Sequence, residues 1–92
     1  MTAVAALPFT VRVMVTDAWD TLDLPVSADT RIAELKRRAL EEALAGRAVD
    51  PGDYLVKFRG AAILDETVTL RTLGARANTP FIVLPRRRQP VR

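Results

Sequence analysis

Alternation of apolar and polar residues begins at Phe9. Phe9, Val11, Val13 and Val15 take turns with Thr10, Arg12, Met14 and Thr16. That period of two predicts a strand with one buried face. Leu22, Leu24 and Val26 repeat the pattern against Thr21, Asp23 and Pro25. Only Asp17-Ala18-Trp19-Asp20 joins the two runs, which fits an antiparallel hairpin. Pro25 has no N–H to donate to a ladder, so the second strand belongs at a sheet edge. Ser27-Ala28-Asp29-Thr30 then signals a helix start, with Asp29 or Thr30 accepting a hydrogen bond from the first turn. From about Arg31 to Leu44, Ile32, Leu35, Ala39, Leu40 and Ala43 fall on one helical stripe. Glu34, Lys36, Arg37, Arg38, Glu41 and Glu42 fall mostly outside it. Gly46 supplies a stop, and Asp50-Pro51-Gly52-Asp53 reads as a turn.

The second half returns to period two. Tyr54, Val56 and Phe58 share one face of a third strand; Leu55, Lys57 and Arg59 share the other. Gly60 breaks it. Ala61 to Leu64 forms a short fourth strand, and Asp65-Glu66-Thr67 turns the chain. Thr69 to Leu73 is one helical turn closed by Gly74, and Pro80 to Pro85 is the last strand. The fold class is α+β, with one helix packed across a mixed four- to five-stranded sheet. The first and last strands, both strongly apolar, are expected to pair in parallel at the sheet centre.

Residues 1–8 are apolar, lack the basic start of a signal peptide, and are read as a flexible N-terminal segment. Residues 9–85 form the domain. Residues 86–92 show no apolar periodicity and are read as a basic, mobile tail. No run approaches a membrane span, and a cytoplasmic location is expected.

Charge changes the picture once it is placed. The 92-residue chain carries a net +3, which by itself suggests an acidic partner such as nucleic acid. Arg86, Arg87, Arg88 and Arg92 supply four of the fourteen basic residues; the other ten face eleven acidic ones, leaving −1. The basic character therefore belongs to the tail, which argues against nucleic acid. Cysteine and histidine are absent, and Ser27 is the single serine. Thiolate nucleophiles, cysteine–zinc sites and the commonest general base are thereby excluded. Asp17 and Asp20 flank Trp19 without further ligands and read as turn residues. The expectation is a protein that is not an enzyme, with no catalytic residue, metal, cofactor or small-molecule substrate.

Several segments, in order, resemble ubiquitin and the β-grasp (ββαββ) family. Thr21–Val26 resembles ubiquitin's second strand, and Asp29-Thr30 followed by Ile32, Leu35 and Lys36 its helix start. Phe58-Arg59-Gly60, then Leu64-Asp65, then Thr69-Leu70 resembles the family's F-x-G…L-x-D…T-L signature. Thr79–Leu84 resembles its closing strand. The resemblance covers Phe9 to about Arg87. It implies a ubiquitin-like interaction domain. Conjugating members need a C-terminal Gly-Gly; here Arg88 and Gln89 stand at that place, and no glycine follows Gly74. A role as a conjugated modifier is therefore not expected. The chain most resembles the stand-alone ubiquitin-like proteins of bacterial type VII secretion loci (the YukD type), which act as accessory components of a larger assembly. The small β-grasp accessory subunit of bacterial diiron aromatic monooxygenases is the alternative.

The resemblance also locates a recognition face. Where ubiquitin presents three aliphatic residues, this chain places Trp19 (or Ala18), Lys57 and Val83, so a cation sits at the centre and standard ubiquitin readers are not expected to bind. Strand alternation puts Arg12, Met14, Leu55, Arg59 and Phe81 around it. The candidate partner-binding residues are Trp19, Lys57, Arg59, Phe81, Val83, Arg12 and Leu55, and the partner is a protein. Trp19 either anchors that partner or folds back over the core edge. A one-residue slip of the last strand would bury Phe81 and Val83 and expose Ile82 and Leu84 instead.

Overall fold

The computed structural model describes residues 8–45 and 49–86. Gly46, most of the N-terminal segment and all of the basic tail beyond Arg86 lie outside the described residues. The elements follow the expected order: β1 (Phe9–Val15), β2 (Asp20–Val26), α1 (Ile32–Ala43), β3 (Tyr54–Phe58), β4 (Ala61–Ala62), α2 (Leu70–Leu73) and β5 (Pro80–Pro85). They build one five-stranded sheet in the order β2-β1-β5-β3-β4. Short loops make β1–β2 and β3–β4 antiparallel hairpins. β5 enters between them, parallel to β1 and antiparallel to β3. β2, with Pro25, is an edge strand as expected.

One face of the sheet is covered by α1. Val11, Val13 and Val15 of β1, Leu24 and Val26 of β2, Val56 of β3, and Phe81 and Val83 of β5 meet Ile32, Leu35, Ala39 and Leu40 of the helix. Phe58 stacks on Phe81 with ring centroids 5.2 Å apart, extending the core toward the β3–β4 turn. Tyr54 keeps its ring in the core and donates its hydroxyl to Asp17 Oδ2 at 2.6 Å. Asp17 thus does more than shape its own turn: it ties the first hairpin loop to β3.

The helix start differs from expectation. Neither Asp29 nor Thr30 caps it. Thr30 Oγ1 instead accepts from Ser27 N at 3.0 Å, and Asp29 pairs with Arg71 at 3.1 Å. The first free N–H groups of α1 go to backbone carbonyls of the strap between β4 and α2: Ile32 N donates to Val68 O and Ala33 N to Glu66 O. In return Leu70 N donates to Thr30 O and Arg71 N to Ala28 O. Asp65 shapes the strap by accepting from Thr67 Oγ1 and Thr67 N at 2.6 and 3.0 Å, and these bonds hold its carboxyl below the usual pKa.

Lys36 is a second departure. Placed by periodicity outside the apolar stripe, it is 3% exposed. Its Nζ donates to Glu66 at 2.8 Å and to Tyr54 O at 3.0 Å, joining helix, strap and β3. The long aliphatic stem lets a cation leave the polar stripe and reach inward, and the paired carboxylate makes its burial tolerable.

Two results follow for stability. Phe81→Ala removes a buried ring and is expected to cost about 3–5 kcal/mol, whereas Ile82→Ala one residue on costs less than about 1 kcal/mol, read from urea midpoints. Glu66→Ala leaves the Lys36 ammonium buried against one carbonyl and is expected to cost about 3 kcal/mol; the double change Lys36→Met with Glu66→Leu recovers much of that loss.

Candidate functional site

The face of the sheet turned away from α1 is built by the residues that alternate with the core. Cross-strand register sets their neighbours: Asp23 lies opposite Arg12, Met14 opposite Ile82, Ile82 opposite Lys57, Leu55 opposite Leu84, and Lys57 opposite Ala62. The centre is therefore an apolar ladder of Met14, Ile82, Leu84 and Leu55 into which one lysine projects. Ile82 is 38% exposed; the other three are half-buried. Arg12 spends its charge on Asp23 at 3.6 Å. Among the described residues, the Lys57 ammonium has neither a hydrogen-bond nor an ion-pair partner.

At one end the face dips into a shallow, open concavity of about 570 Å³, lined by Thr16, Leu55, Lys57, Leu84, Pro85 and Arg86. Arg86 was assigned to the tail by its sequence context, yet it is held: its N–H donates to Asp53 O at 2.8 Å and its Nε to Gly52 O at 2.9 Å. The Pro51–Asp53 turn thus clamps the chain as it leaves β5 and brings Arg86 to the concavity.

Trp19 closes the hairpin loop beside Thr16. A 3₁₀ turn at Thr16–Ala18 reverses the chain, and Trp19 completes it in the left-handed region at φ 50°. The residue is 82% exposed. Of the two possibilities for Trp19, folding back over the core edge is overturned. A β-carbon in this conformation costs about 1 kcal/mol, and no packing of the indole offsets it.

Three expected members of the face are placed elsewhere. Phe81 and Val83 are 1% and 0% exposed, because β5 pairs with Val13 and Val15 of β1 through those two residues and all four point at the helix. Their expected exposure is corrected; Ile82 and Leu84 take their place. Arg59 is not on the outer face either. β3 ends at Phe58, and Arg59 and Gly60 both take positive φ to form a two-residue turn, so strand alternation stops one residue early. The Arg59 guanidinium lies 5.0 Å above the Phe58 ring. Trp19, Lys57, Arg12 and Leu55 remain surface-accessible on or beside the face. Sequence reasoning missed Thr16, Pro85 and Arg86. Contacts made far along the chain bring them together, and no local pattern carries that signal.

Among the described residues, no three acidic side chains converge to hold a metal ion, and no helix is long and apolar enough to cross a membrane.

No family model and no curated protein matches the chain. Solved structures do. The chain superposes on the ubiquitin of Caldiarchaeum subterraneum with TM-score 0.72 at 17% identity, over 90% of this chain and 99% of that one. The fold is ubiquitin-like. The ubiquitin-like domain of Plasmodium falciparum Dsk2 gives 0.71 at 16% identity, covering 87% of this chain and 100% of that one. The ubiquitin-like domain of an Arabidopsis thaliana protein gives 0.74 at 12% identity, covering 99% and 90%. Agreement at such low identity establishes the β-grasp architecture, with its helix on one side of the sheet and a free face on the other.

Because Trp19 is strained and unpacked, Trp19→Gly is expected to leave the melting temperature unchanged or raise it slightly. The fluorescence of this single tryptophan in the folded protein should already sit at the solvent-exposed position and shift little on denaturation.

Proposed function

We propose that the chain is a non-catalytic protein-interaction domain that docks through the outer face of its sheet. The single observation that carries this reading is the exposed apolar ladder around an unpaired Lys57, with a strained, solvent-exposed Trp19 at its margin. Isolated exposed apolar residues are ordinary, but a continuous ladder with an adjoining tryptophan is the composition of an interface centre. Trp19, Lys57, Leu55, Ile82 and Leu84 form the contact surface, with Arg12 at its rim. The ubiquitin-like fold supports the reading because it leaves this face uncovered.

The larger context we assign is an accessory component of a bacterial protein assembly in the cytoplasm, a type VII secretion system in particular. The ordered motif resemblance supports it, as does the lysine that interrupts the aliphatic centre of the outer face.

Affinity capture from the native cell tests both levels. Secretion ATPase or membrane components are expected with the unaltered protein. Trp19→Ala and Lys57→Ala are each expected to cost about 1–2 kcal/mol of binding, roughly 5–30-fold in Kd, with melting temperatures unchanged. If both variants bind as the unaltered protein does, the face is wrong. Capture of oxygenase subunits would move the protein to the other assembly.

A further inference from the structure

We propose that the outer face takes a short acidic segment of its protein partner, an apolar side chain flanked by carboxylates, and that Lys57 and Arg86 are the two groups that read the charge. This rests on the interaction reading given under Proposed function and names the chemistry of its partner.

The two cations bracket an apolar floor. Leu55 and Leu84 face each other across β3 and β5. Lys57 lies beyond that pair on the Ile82 side, and Arg86 lies beyond it past Pro85. Both line the same concavity with Thr16 between strand and hairpin loop. Strand rise separates the two backbone levels by on the order of 13 Å, the span of four residues of an extended peptide. A segment with acidic residues four apart and an apolar residue midway would set its carboxylates on the cations and its apolar side chain on the leucine floor.

The charges are available. Lys57 makes no internal ion pair, in contrast to Arg12, Lys36, Arg37 and Arg71, each of which holds a carboxylate. Arg86 uses its Nε on Gly52 O, which orients the guanidinium, and no carboxylate partner neutralises it among the described residues. A half-buried lysine on an apolar surface, with no counter-ion of its own, favours a partner that supplies one.

Other occupants fit less well. Residues 87–92 carry three arginines and no acid, so they meet like charge on this face. A second copy docked face to face about a two-fold axis presents the same two cations again, and the lining of the concavity holds no carboxylate to meet them. A nucleic acid strand would need a track of cations, whereas Asp17 and Asp20 in the hairpin loop and Asp50 and Asp53 in the clamp turn flank these two.

The test is a titration of the isotope-labelled full chain, followed by amide chemical shifts. The probes are three blocked peptides: Asp-Thr-Leu-Thr-Asp, its neutral analogue Asn-Thr-Leu-Thr-Asn, and its basic analogue Lys-Thr-Leu-Thr-Lys. The acidic peptide is expected to shift Thr16, Leu55, Lys57, Leu84 and Arg86 and to bind at least about fivefold more tightly than the neutral one, an advantage that fades with salt. Lys57→Gln, which leaves Arg86, should reduce the acidic preference; Lys57→Gln with Arg86→Gln should equalise acidic and neutral peptides; and Lys57→Glu with Arg86→Glu should reverse the order so that the basic peptide binds best. Equal affinity of the unaltered protein for acidic and neutral peptides at this face overturns the inference while leaving the interaction reading standing. No shift at these residues with millimolar acidic peptide overturns it too, and partner capture then decides the interaction reading separately. So do an oligothymidylate that binds here as well as the acidic peptide, shifts of Thr16, Leu55 and Lys57 on deletion of 87–92, or self-association abolished by Lys57→Glu. Each of those three results hands the face to a different occupant.

Discussion

β5 is held from both sides, and that double pairing is the constraint on which the rest depends. Its Val83 must sit opposite Val15 in a parallel ladder and opposite Val56 in an antiparallel one at the same time. All three point at α1 and are fully buried. A slip of one residue would drive Ile82 and Leu84 into the helix and turn Phe81 out, breaking its stack with Phe58. Close packing leaves no intermediate register. The same pairing that completes the core therefore decides which residues reach solvent on the opposite face.

The helix is fixed to that sheet by more than apolar contact. Its free N-terminal N–H groups are satisfied by the strap from Asp65 to Val68, and Lys36 reaches from the helix to the strap and to the carbonyl of Tyr54. Tyr54 in turn reaches Asp17 in the first hairpin loop. A chain of polar contacts thus runs from strap to helix to β3 to the loop that carries Trp19. Burying an ammonium is costly, and removing its carboxylate partner costs more than the pair contributes.

On the outer face the balance is reversed. Apolar side chains remain in water, a lysine lacks a counter-ion, and a tryptophan occupies a backbone conformation better suited to glycine. Each feature is mildly unfavourable for the isolated domain. Together they are the features on which the proposed docking surface rests.

Much of the fold was legible in the chain. Period-two runs located β1, β2, β3 and β5, the helical stripe located α1, and Thr69 with Gly74 marked the single turn of α2, because these signals are local and repeat at the spacing of their element. Lys57, Leu55 and Arg12 were legible as outer-face residues for the same reason, whereas the exposure of Trp19, in a loop with no period, was decided by the structure. Arg59 was misplaced because alternation holds only while the strand does, and the chain enters the left-handed region at that residue. Phe81 and Val83 were misplaced because a strand of consecutive apolar residues looks alike from either face. Lys36 and Arg86 carry ordinary surface sequence signals, yet one is buried by a carboxylate thirty residues away and the other clamped by a turn thirty-four residues back. By itself, then, the sequence determined the elements, their order and the absence of thiol and imidazole chemistry, all properties of composition and short-range spacing. Tertiary structure alone decided which side of β5 faces water and what surrounds Lys57, since both depend on pairing between segments that know nothing of each other until the sheet closes.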